Sequence, residues 1–313
     1  MSLLGHASAP GKAILTGEHS VVYGHGAIAM PVVRRRLHAY LHAASPGYGT
    51  VIASEQMQAV ARPGRTPNPM PALTRTLQSV LDLAGQAGGP DWMIYLRGNI
   101  PVAGGMGSSA AAACALVRAA GDALSLSMSK DEVNRIVLDS EVLQHGNPSG
   151  VDNAVVVWEQ PVWFERTTGP NRMQTKAEAT FLLADTGVRA STAEAVAGVA
   201  ARRHANVADY DRWLGDMGSV SLAVKDALMA DNMDVLPDLL NCNQEYLRRI
   251  GVSHPACERL IKAALACGAS AAKVSGAGLG GLVLVLCGRD QQAELASRLE
   301  QAGAVDTVGM ELS

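Results

Sequence analysis

The sequence predicts a protein of mixed α and β structure (α+β) with more than one hydrophobic core. Short, partly alternating segments typical of strands fill the first hundred residues, and helical segments follow them. The chain closes on a strand, a glycine turn, a strand, a helix and a last strand. At 313 residues it exceeds the size at which a single core stops growing, which favours two lobes.

The first part of the chain is predicted to be rich in strands before it becomes helical. Short apolar runs predict strands at 27–33, 36–44, 49–54 and 92–97. The proline- and glycine-rich stretch 62–71 is predicted to be a loop. A helix is predicted at 72–86 because its apolar residues fall on one stripe: Leu73, Leu77, Val80, Leu81 and Ala84.

Three elements are predicted in the middle of the chain. The alanine-rich run after Gly107 is predicted to be a buried helix, with serine capping the free N–H groups of its first turn. A second helix is predicted at 129–143, where Ser129 and Glu132 have the spacing of a capping box. The β-branched stretch 151–158 is predicted to be a strand.

The remaining elements continue the alternation of strands and helices. A strand is predicted at 180–185, followed by helices near 191–205, 209–230, 232–249 and 254–267. The closing elements are predicted at 271–275 (strand), 282–287 (strand), 289–302 (helix) and the C-terminus (strand). The pattern breaks at 168–178, where a boundary between lobes is expected.

Composition argues against several classes of protein. The net charge is −3 without a basic excess, so nucleic acid is not expected as a partner. No segment approaches the roughly 20 apolar residues of a membrane span. The N-terminus has no basic region followed by an apolar run, unlike a signal peptide. The five cysteines are scattered without CxxC spacing, which is typical of small core residues in a reducing compartment. These features predict a cytoplasmic protein.

Four separated segments indicate phosphate chemistry. Glycine lets a backbone turn tightly and approach phosphate oxygens, and glycines are concentrated at 9–12, 104–111 and 275–281. The segment at 104–111 follows a predicted strand and opens a predicted helix, a geometry in which backbone N–H groups converge on an anion. The turn-rich segment 145–153 adds the ionisable Asp152. Together the four segments predict phosphoryl transfer.

Two alternative interpretations of these glycines fail on context. A loose GxGxxA pattern begins at Gly105, but a second helix follows it instead of the strand and ribose-binding acid of a dinucleotide fold. The GxGxxG formed by Gly276, Gly278 and Gly281 leads into a strand, whereas the dinucleotide fingerprint must open a helix. The sequence therefore does not predict a dehydrogenase.

Three of the segments resemble the motifs of the GHMP small-molecule kinases. They run Pro-Gly-Lys-x-Ile-Leu-x-Gly-Glu-His-x-Val-Val-Tyr-Gly at 10–24, Pro-x-x-x-Gly-Met-Gly-Ser-Ser-Ala-Ala at 101–111, and Lys-x-Ser-Gly-Ala-Gly-x-Gly-Gly at 273–281. The segments at 18–19, 145–153 and 185–192 resemble the members of that family that phosphorylate mevalonate. The resemblance implies a two-lobe fold, with a ribosomal-protein-S5-like α/β lobe at 1–175 that binds ATP and a ferredoxin-like lobe at 176–313.

The resemblance also implies a role for individual residues. Asp152 matches the aspartate that accepts or orients the proton of the attacking hydroxyl, and Lys12 matches the lysine beside it. Glu18, His19 and Thr192 match the substrate side. Mg²⁺ would be held by Ser109 and Glu141. The ATP phosphates would be held by Gly104, Gly105, Met106, Gly107, Ser108 and Ser109.

The sequence departs from the family's pattern at two places and leaves alternatives open. Met106 stands where leucine is usual, a near-isosteric change, and Glu159-Gln160 stands where glycines often follow the tryptophan. One alternative is a related kinase that acts on a sugar, homoserine or phosphomevalonate. Another is a nucleotide-sensing regulator without activity, although binding alone would not require Lys12, Glu141 and Asp152 together. The expected partner is the small molecule mevalonate, and a homodimer is possible.

Overall fold

The fold is known from a computed structural model that describes residues 2–86, 89–102, 104–146 and 148–312. Ala103 and Asn147, which fall inside two of the motifs quoted above, lie outside the described residues. Contacts divide the chain into two units that interleave along the sequence. The first unit comprises Met1–Lys12, Pro31–Val102 and Met106–Glu159, and the second comprises Ala13–Met30, Ala103–Gly105 and Gln160–Ser313.

The first unit contains most of the strands and helices of the N-terminal half. Its elements are β1 (Leu3–Thr16), β2 (Ala27–Ala43), β3 (Val51–Ser54), β4 (Ala59–Ala61), α1 (Pro71–Leu83), β5 (Trp92–Gly98), α2 (Ser108–Ala123), α3 (Lys130–His145) and α4 (Val151–Trp158). Strands β1 and β2 also contribute residues to the second unit. In the sheet the strand order is β4-β3-β5-β2, with β1 paired to β2. Strand β3 runs parallel to β5, and β2 runs antiparallel to β5.

The helices of the first unit form around the alanine-rich α2. Its residues from Ala110 to Val117 are all buried, because small side chains let neighbouring helices approach closely. Helices α1, α3 and α4 all pack against it. Helix α3 begins with the predicted capping box, in which the Ser129 side chain and the Glu132 side chain each bind the other's backbone N–H.

Three local predictions for this unit are wrong. Residues 151–158 form helix α4 instead of a strand, since a short run that is apolar on every side fits any buried element. No side chain among the described residues caps α2, whose N-cap is Gly107 in the left-handed region instead of a serine. The segment 9–12 does not turn but lies within β1, a strand that the sequence pattern did not indicate.

The second unit holds a four-stranded antiparallel sheet covered by helices. Its elements are β6 (Val162–Glu165), β7 (Gly169–Arg172), β8 (Ala179–Asp185), α5 (Thr192–Ala205), α6 (Val207–Met229), α7 (Leu236–Arg249), α8 (Pro255–Ala266), β9 (Ala271–Ser275), β10 (Leu282–Cys287), α9 (Gln292–Gln301) and β11 (Asp306–Leu312). The strand order is β11-β8-β10-β9. Strands β6 and β7 are not part of this four-stranded sheet: the start of β2 pairs with β6, and β6 pairs with β7.

The apolar pattern predicted this unit well. Strands β9 and β10 have the bounds expected from the sequence, and the predicted helices at 191–205, 209–230 and 254–267 correspond to α5, α6 and α8. The core lies between sheet and helices, where Leu182, Val274 and Val285 pack with residues of α6 to α9. The mixed α+β class is therefore confirmed, whereas the predicted boundary between 175 and 176 stays a prediction.

Candidate active site

A lysine and an aspartate predicted to act together form an ion pair in the first unit. The Nζ atom of Lys12 lies 3.1 Å from Oδ1 of Asp152, although the two residues are far apart in sequence. The Lys12 side chain is nearly buried, with 9% exposed, whereas 37% of the Asp152 side chain is exposed. Because the carboxylate keeps access to solvent, a hydroxyl of a bound molecule can approach it.

Two different elements place this pair. Lys12 lies on β1, and its backbone N–H donates to the carbonyl of Met106 at 2.9 Å, which ties the strand to the loop before α2. Asp152 lies in the first turn of α4, where the positive end of the helix dipole favours a carboxylate. The pair therefore depends on the helical state of 151–158, the element that the sequence assigned wrongly.

Gly107 is required by the approach of the Lys12 side chain. Its φ is +69°, in the left-handed region that favours glycine. A Cβ atom at this position would also lie 3.0 Å from Cγ of Lys12. Any other residue at 107 would be strained and would displace the lysine, so the glycine of this motif supports the ion pair as well as the start of α2.

Ser109 and Glu141, the predicted metal ligands, also lie together in the first unit. Glu141 is buried on α3, and its Oε1 atom has no hydrogen-bond partner among the described residues. The Ser109 hydroxyl, in the first turn of α2, lies 3.3 Å from Nε2 of His145. The same nitrogen lies 3.7 Å from Oε2 of Glu141. A hydroxyl and a carboxylate thus converge with an imidazole beside them.

The charge of Glu141 reflects both its burial and its neighbours. Burial raises the pKa of the Glu141 carboxyl, and the nearby charge of Asp152 raises it further. A hydrogen bond from Ser109 and the charges of His145 and Lys12 lower the same pKa in part. Two carboxylates therefore share one neighbourhood with one lysine, and an additional cation would stabilise both.

The sequence analysis did not assign a role to His145. Its position four residues after Glu141 on α3 places both side chains on one face of the helix, which is the signal that could have indicated it. The side chain is half exposed.

The predicted phosphate-binding residues 104–109 are contiguous in sequence but belong to both units. Gly104 and Gly105 are assigned to the second unit, and the residues from Met106 onward to the first. The run ends at the uncapped start of α2. Because no side chain of the described residues caps that helix start by a hydrogen bond, its N–H groups suit an anion.

Glu18 and His19 lie in the second unit, beside the glycine segment that follows β9. The Glu18 side chain is fully buried and forms an ion pair with Lys273, whose side chain is also fully buried. Nε2 of His19 lies 2.8 Å from the carbonyl oxygen of Ala277. Burial lowers the pKa of His19, and the charge of Arg202 lowers it further, although the bond to Ala277 acts in the opposite direction.

Thr192, the third predicted substrate residue, is exposed at the start of α5. The preceding Ser191 caps the helix by accepting from the backbone N–H of Glu194. A few residues earlier, Arg189 forms a bidentate pair with the buried Asp185, at 2.6 and 2.8 Å. The sequence analysis quoted the segments 185–192 and 273–281 but did not predict the ion pairs that Asp185, Arg189 and Lys273 form.

Three further structural properties concern metal clusters, helix length and the cysteines. The described part of the chain contains no cluster of three or more histidine, cysteine, aspartate or glutamate residues that could hold a metal ion. None of its helices is long and apolar enough to cross a membrane. All five cysteines are free, and burial raises the pKa of the Cys114 thiol to about 12, so that thiol is unreactive.

The sequence matches two protein-family models that together cover more than half of it. The model described as "GHMP kinases N terminal domain" matches residues 73–160, and the model described as "GHMP kinases C terminal" matches residues 224–305. The first match includes the 104–109 loop, Glu141 and Asp152. The second includes Lys273 and the glycine segment after it.

Curated relatives and solved structures are similar to this chain over most of its length. The mevalonate kinase of Archaeoglobus fulgidus is 30% identical over 281 residues, which cover 90% of this chain and 91% of that protein. The mevalonate kinase of Thermococcus gammatolerans is 29% identical over 322 residues, covering 96% and 94%. The crystal structure of L. major mevalonate kinase in complex with R-mevalonate has a TM-score of 0.84 at 25% identity, covering 99% and 96%.

Proposed function

The chain belongs to the GHMP kinase family, and from this premise we propose that it transfers the γ-phosphoryl group of ATP to the primary hydroxyl of mevalonate. The products are 5-phosphomevalonate and ADP, in the mevalonate route to isoprenoids. Similarity to mevalonate kinases over more than nine-tenths of the chain supports this substrate. The observation that carries the chemistry is the ion pair between Lys12 and Asp152.

Asp152 is the residue that acts on the attacking hydroxyl. Its carboxylate is exposed enough to accept a hydrogen bond from that hydroxyl and to orient or remove its proton. Lys12 places a positive charge 3.1 Å from the carboxylate, where it offsets negative charge on the phosphoryl group as it moves. Positioning and electrostatics of this kind account for most catalysis in phosphoryl transfer.

Ser109 and Glu141 fit a magnesium ion. A hydroxyl and a carboxylate are hard oxygen donors, and Mg²⁺ is usually held by one or two protein carboxylates together with nucleotide phosphates and water. The buried Oε1 of Glu141, which has no hydrogen-bond partner in the described part of the chain, is the structural reason to expect a cation here. When bound, the ion would neutralise charge on the ATP phosphates.

ATP and mevalonate are proposed to contact different segments. The backbone of residues 104–109 and the start of α2 would hold the phosphates of ATP. His19 and Thr192 would contact mevalonate. Glu18 is also expected on the substrate side, but its fully buried side chain favours a supporting role.

We also propose an organisation and a location for the protein. A boundary between 175 and 176 falls between the two family matches, which end at 160 and begin at 224. The five free cysteines favour the reducing cytoplasm. A homodimer is proposed as the oligomeric state, and light scattering coupled to size-exclusion chromatography would measure it.

A coupled assay of ADP release tests the proposed substrate. The assay would measure kcat/KM for four compounds: mevalonate, phosphomevalonate, homoserine and galactose. The Asp152→Asn variant is the control for contaminating kinases. We expect mevalonate to give the highest kcat/KM. Mevalonolactone, in which the primary hydroxyl is esterified to the carboxylate, has no attacking hydroxyl and should not react until it is hydrolysed. A higher kcat/KM for phosphomevalonate, homoserine or galactose than for mevalonate would overturn the assignment of mevalonate as the substrate.

A further inference from the structure

The second unit contains a buried lysine that the proposed reaction does not use. Lys273 lies in the middle of β9 with its side chain fully buried. Its ammonium group binds Oε1 of Glu18 and donates to the carbonyl of Val274 at 2.6 Å. Burial lowers the pKa of Lys273 and raises that of Glu18, and each charge partly offsets this effect on the other. Such a buried pair is costly to form, which calls for an explanation.

The pair belongs to a series of bonds that join two short segments, 14–19 and 273–277. The Ser275 hydroxyl donates to the carbonyl of Ile14 at 2.8 Å and accepts from its N–H at 3.0 Å. The backbone N–H of Gly276 faces the Glu18 carboxylate and helps to lower its pKa. The last bond joins the His19 ring to the next residue, Ala277. The ion pair is the charged member of this series and lies next to His19 in sequence.

These bonds fix His19 in an unusual state. Its φ is +60°, a positive backbone angle that a residue with a side chain adopts only when its surroundings impose it. The Ala277 carbonyl can only accept, so Nε2 of His19 must carry the hydrogen. In the neutral ring Nδ1 is then the acceptor. This state suits a hydroxyl donor better than a carboxylate.

We propose that Lys273 is a positioning residue that, through Glu18, holds His19 in the backbone conformation and tautomer in which Nδ1 accepts a hydrogen bond from a hydroxyl of the substrate. The inference rests on the proposed function, because it takes mevalonate as the molecule that His19 contacts. It assigns a role to Lys273 and moves Glu18 from substrate contact to support of His19.

Paired variants test this role without relying on a damaged fold. Lys273→Met alone leaves Glu18 buried without its partner, so this variant can fail to fold. The double variant Glu18→Gln/Lys273→Met removes both charges while it keeps both shapes, so neither residue is left as a buried charge without a partner. Lys262→Met, at an exposed position of α8, is the matched control. We expect the double variant to raise the KM for mevalonate about tenfold, the loss of roughly one hydrogen bond, with the KM for ATP within about twofold.

Nuclear magnetic resonance of ¹⁵N-labelled histidine gives a second readout, with His19→Gln used to assign the signal. Wild type should show His19 as the Nε2–H tautomer, and the double variant should show a mixture of tautomers. A double variant with the KM for mevalonate and the tautomer of wild type would overturn the proposal, as would a wild-type ring protonated at Nδ1. If wild type did not phosphorylate mevalonate, the proposed function would fail. The tautomer of the double variant would still decide whether Lys273 positions His19.

Discussion

Among the described residues, each unit contains a lysine paired with a carboxylate, and these two pairs differ in their access to solvent. In the first unit the Asp152 side chain is 37% exposed beside Lys12. In the second unit both Lys273 and Glu18 are fully buried. All four residues lie in or next to glycine-rich motifs, so their local sequences look alike. The comparison teaches that exposure, which the motifs do not encode, separates a pair that a small molecule can reach from a pair that is closed to solvent.

The physical basis of the difference is desolvation. A carboxylate that keeps part of its hydration can exchange water for a substrate hydroxyl at little cost. A fully buried pair has already lost its water, and its attraction is balanced by the cost of burial. Removing one partner of the buried pair leaves the other charge without compensation. Substitutions in the pair of Lys12 and Asp152, here called the open pair, should therefore mainly reduce catalysis. Substitutions in the pair of Lys273 and Glu18, the buried pair, should mainly reduce stability and disturb the placement of neighbouring residues.

The largest expected effect comes from the open pair. Replacing Asp152 with Asn keeps the shape but removes the proton acceptor, so kcat should fall by about 10²–10⁴. The free energy of unfolding should change less than for the buried pair, because the partly exposed Asp152 keeps the ion pair in contact with solvent. Steady-state kinetics and urea unfolding measure both. The matched control is Asp139→Asn, on the exposed face of α3. If the Asp152→Asn variant kept kcat within threefold of wild type, Asp152 would have no role in the mechanism.

Substitutions in the buried pair should reduce stability more than those in the open pair. Lys273→Met should lower the free energy of unfolding by about 3–5 kcal/mol, because Glu18 stays buried without its cation. Lys12→Met should lower it by less, because the exposed side of Asp152 stays hydrated, while it reduces kcat. Urea unfolding of both variants, with Lys262→Met as control, measures the contrast. Equal stability losses at Lys12 and Lys273 would show that exposure does not separate the two pairs.

A third prediction concerns the carboxylate beside the open pair. Glu141→Gln should raise the Mg²⁺ concentration needed for half-maximal activity by about tenfold or more, since loss of even an outer partner of a metal ligand costs roughly 10–100-fold in affinity. Titration of activity with Mg²⁺ at saturating ATP measures this, with Asp139→Asn as the control on the same helix. An unchanged titration would assign Glu141 to a structural role.

The smallest expected effect is a dependence of stability on pH in the second unit. Burial lowers the pKa of folded His19 below its value of about 6.5 in the unfolded chain. The unfolded chain therefore binds the proton more readily, and the contribution of His19 to stability is present above about pH 6.5 and is lost as the pH falls toward the folded pKa. The unfolding midpoint measured between pH 5.5 and 7.5 should decrease less on acidification in His19→Gln than in wild type. Identical slopes would contradict this.

Elements with local signals could be predicted from the sequence. Helix α3 has a capping box at Ser129 and Glu132, and that motif forms as expected. Strands β9 and β10 are short apolar runs separated by a glycine turn, and their bounds agree with the prediction. The family followed from the order of the motifs along the chain, and the comparisons confirm it.

Elements without local signals were missed. Helix α4 contains three consecutive valines, which favour a strand in isolation, but its packing against α2 and α3 buries them in a helix. Strand β1 contains Pro10 and Gly11, which resemble a turn in sequence. The backbone bond from Lys12 to Met106 instead ties it to a distant loop. In both places a contact with a remote part of the chain overrides the local preference.

The sequence by itself determined the class of fold, the family and the residue types that phosphoryl transfer requires, because glycine turns, helix caps and motif order are local properties. It named Lys12 and Asp152, but only the tertiary structure placed Nζ within 3.1 Å of Oδ1. It named Glu18 as a residue of the substrate side, but only the tertiary structure buried it against Lys273, which lies 255 positions away in the chain. Burial and long-range pairing depend on which segments meet in the folded chain, and a carboxylate's exposure is set by those neighbours and not by its own sequence.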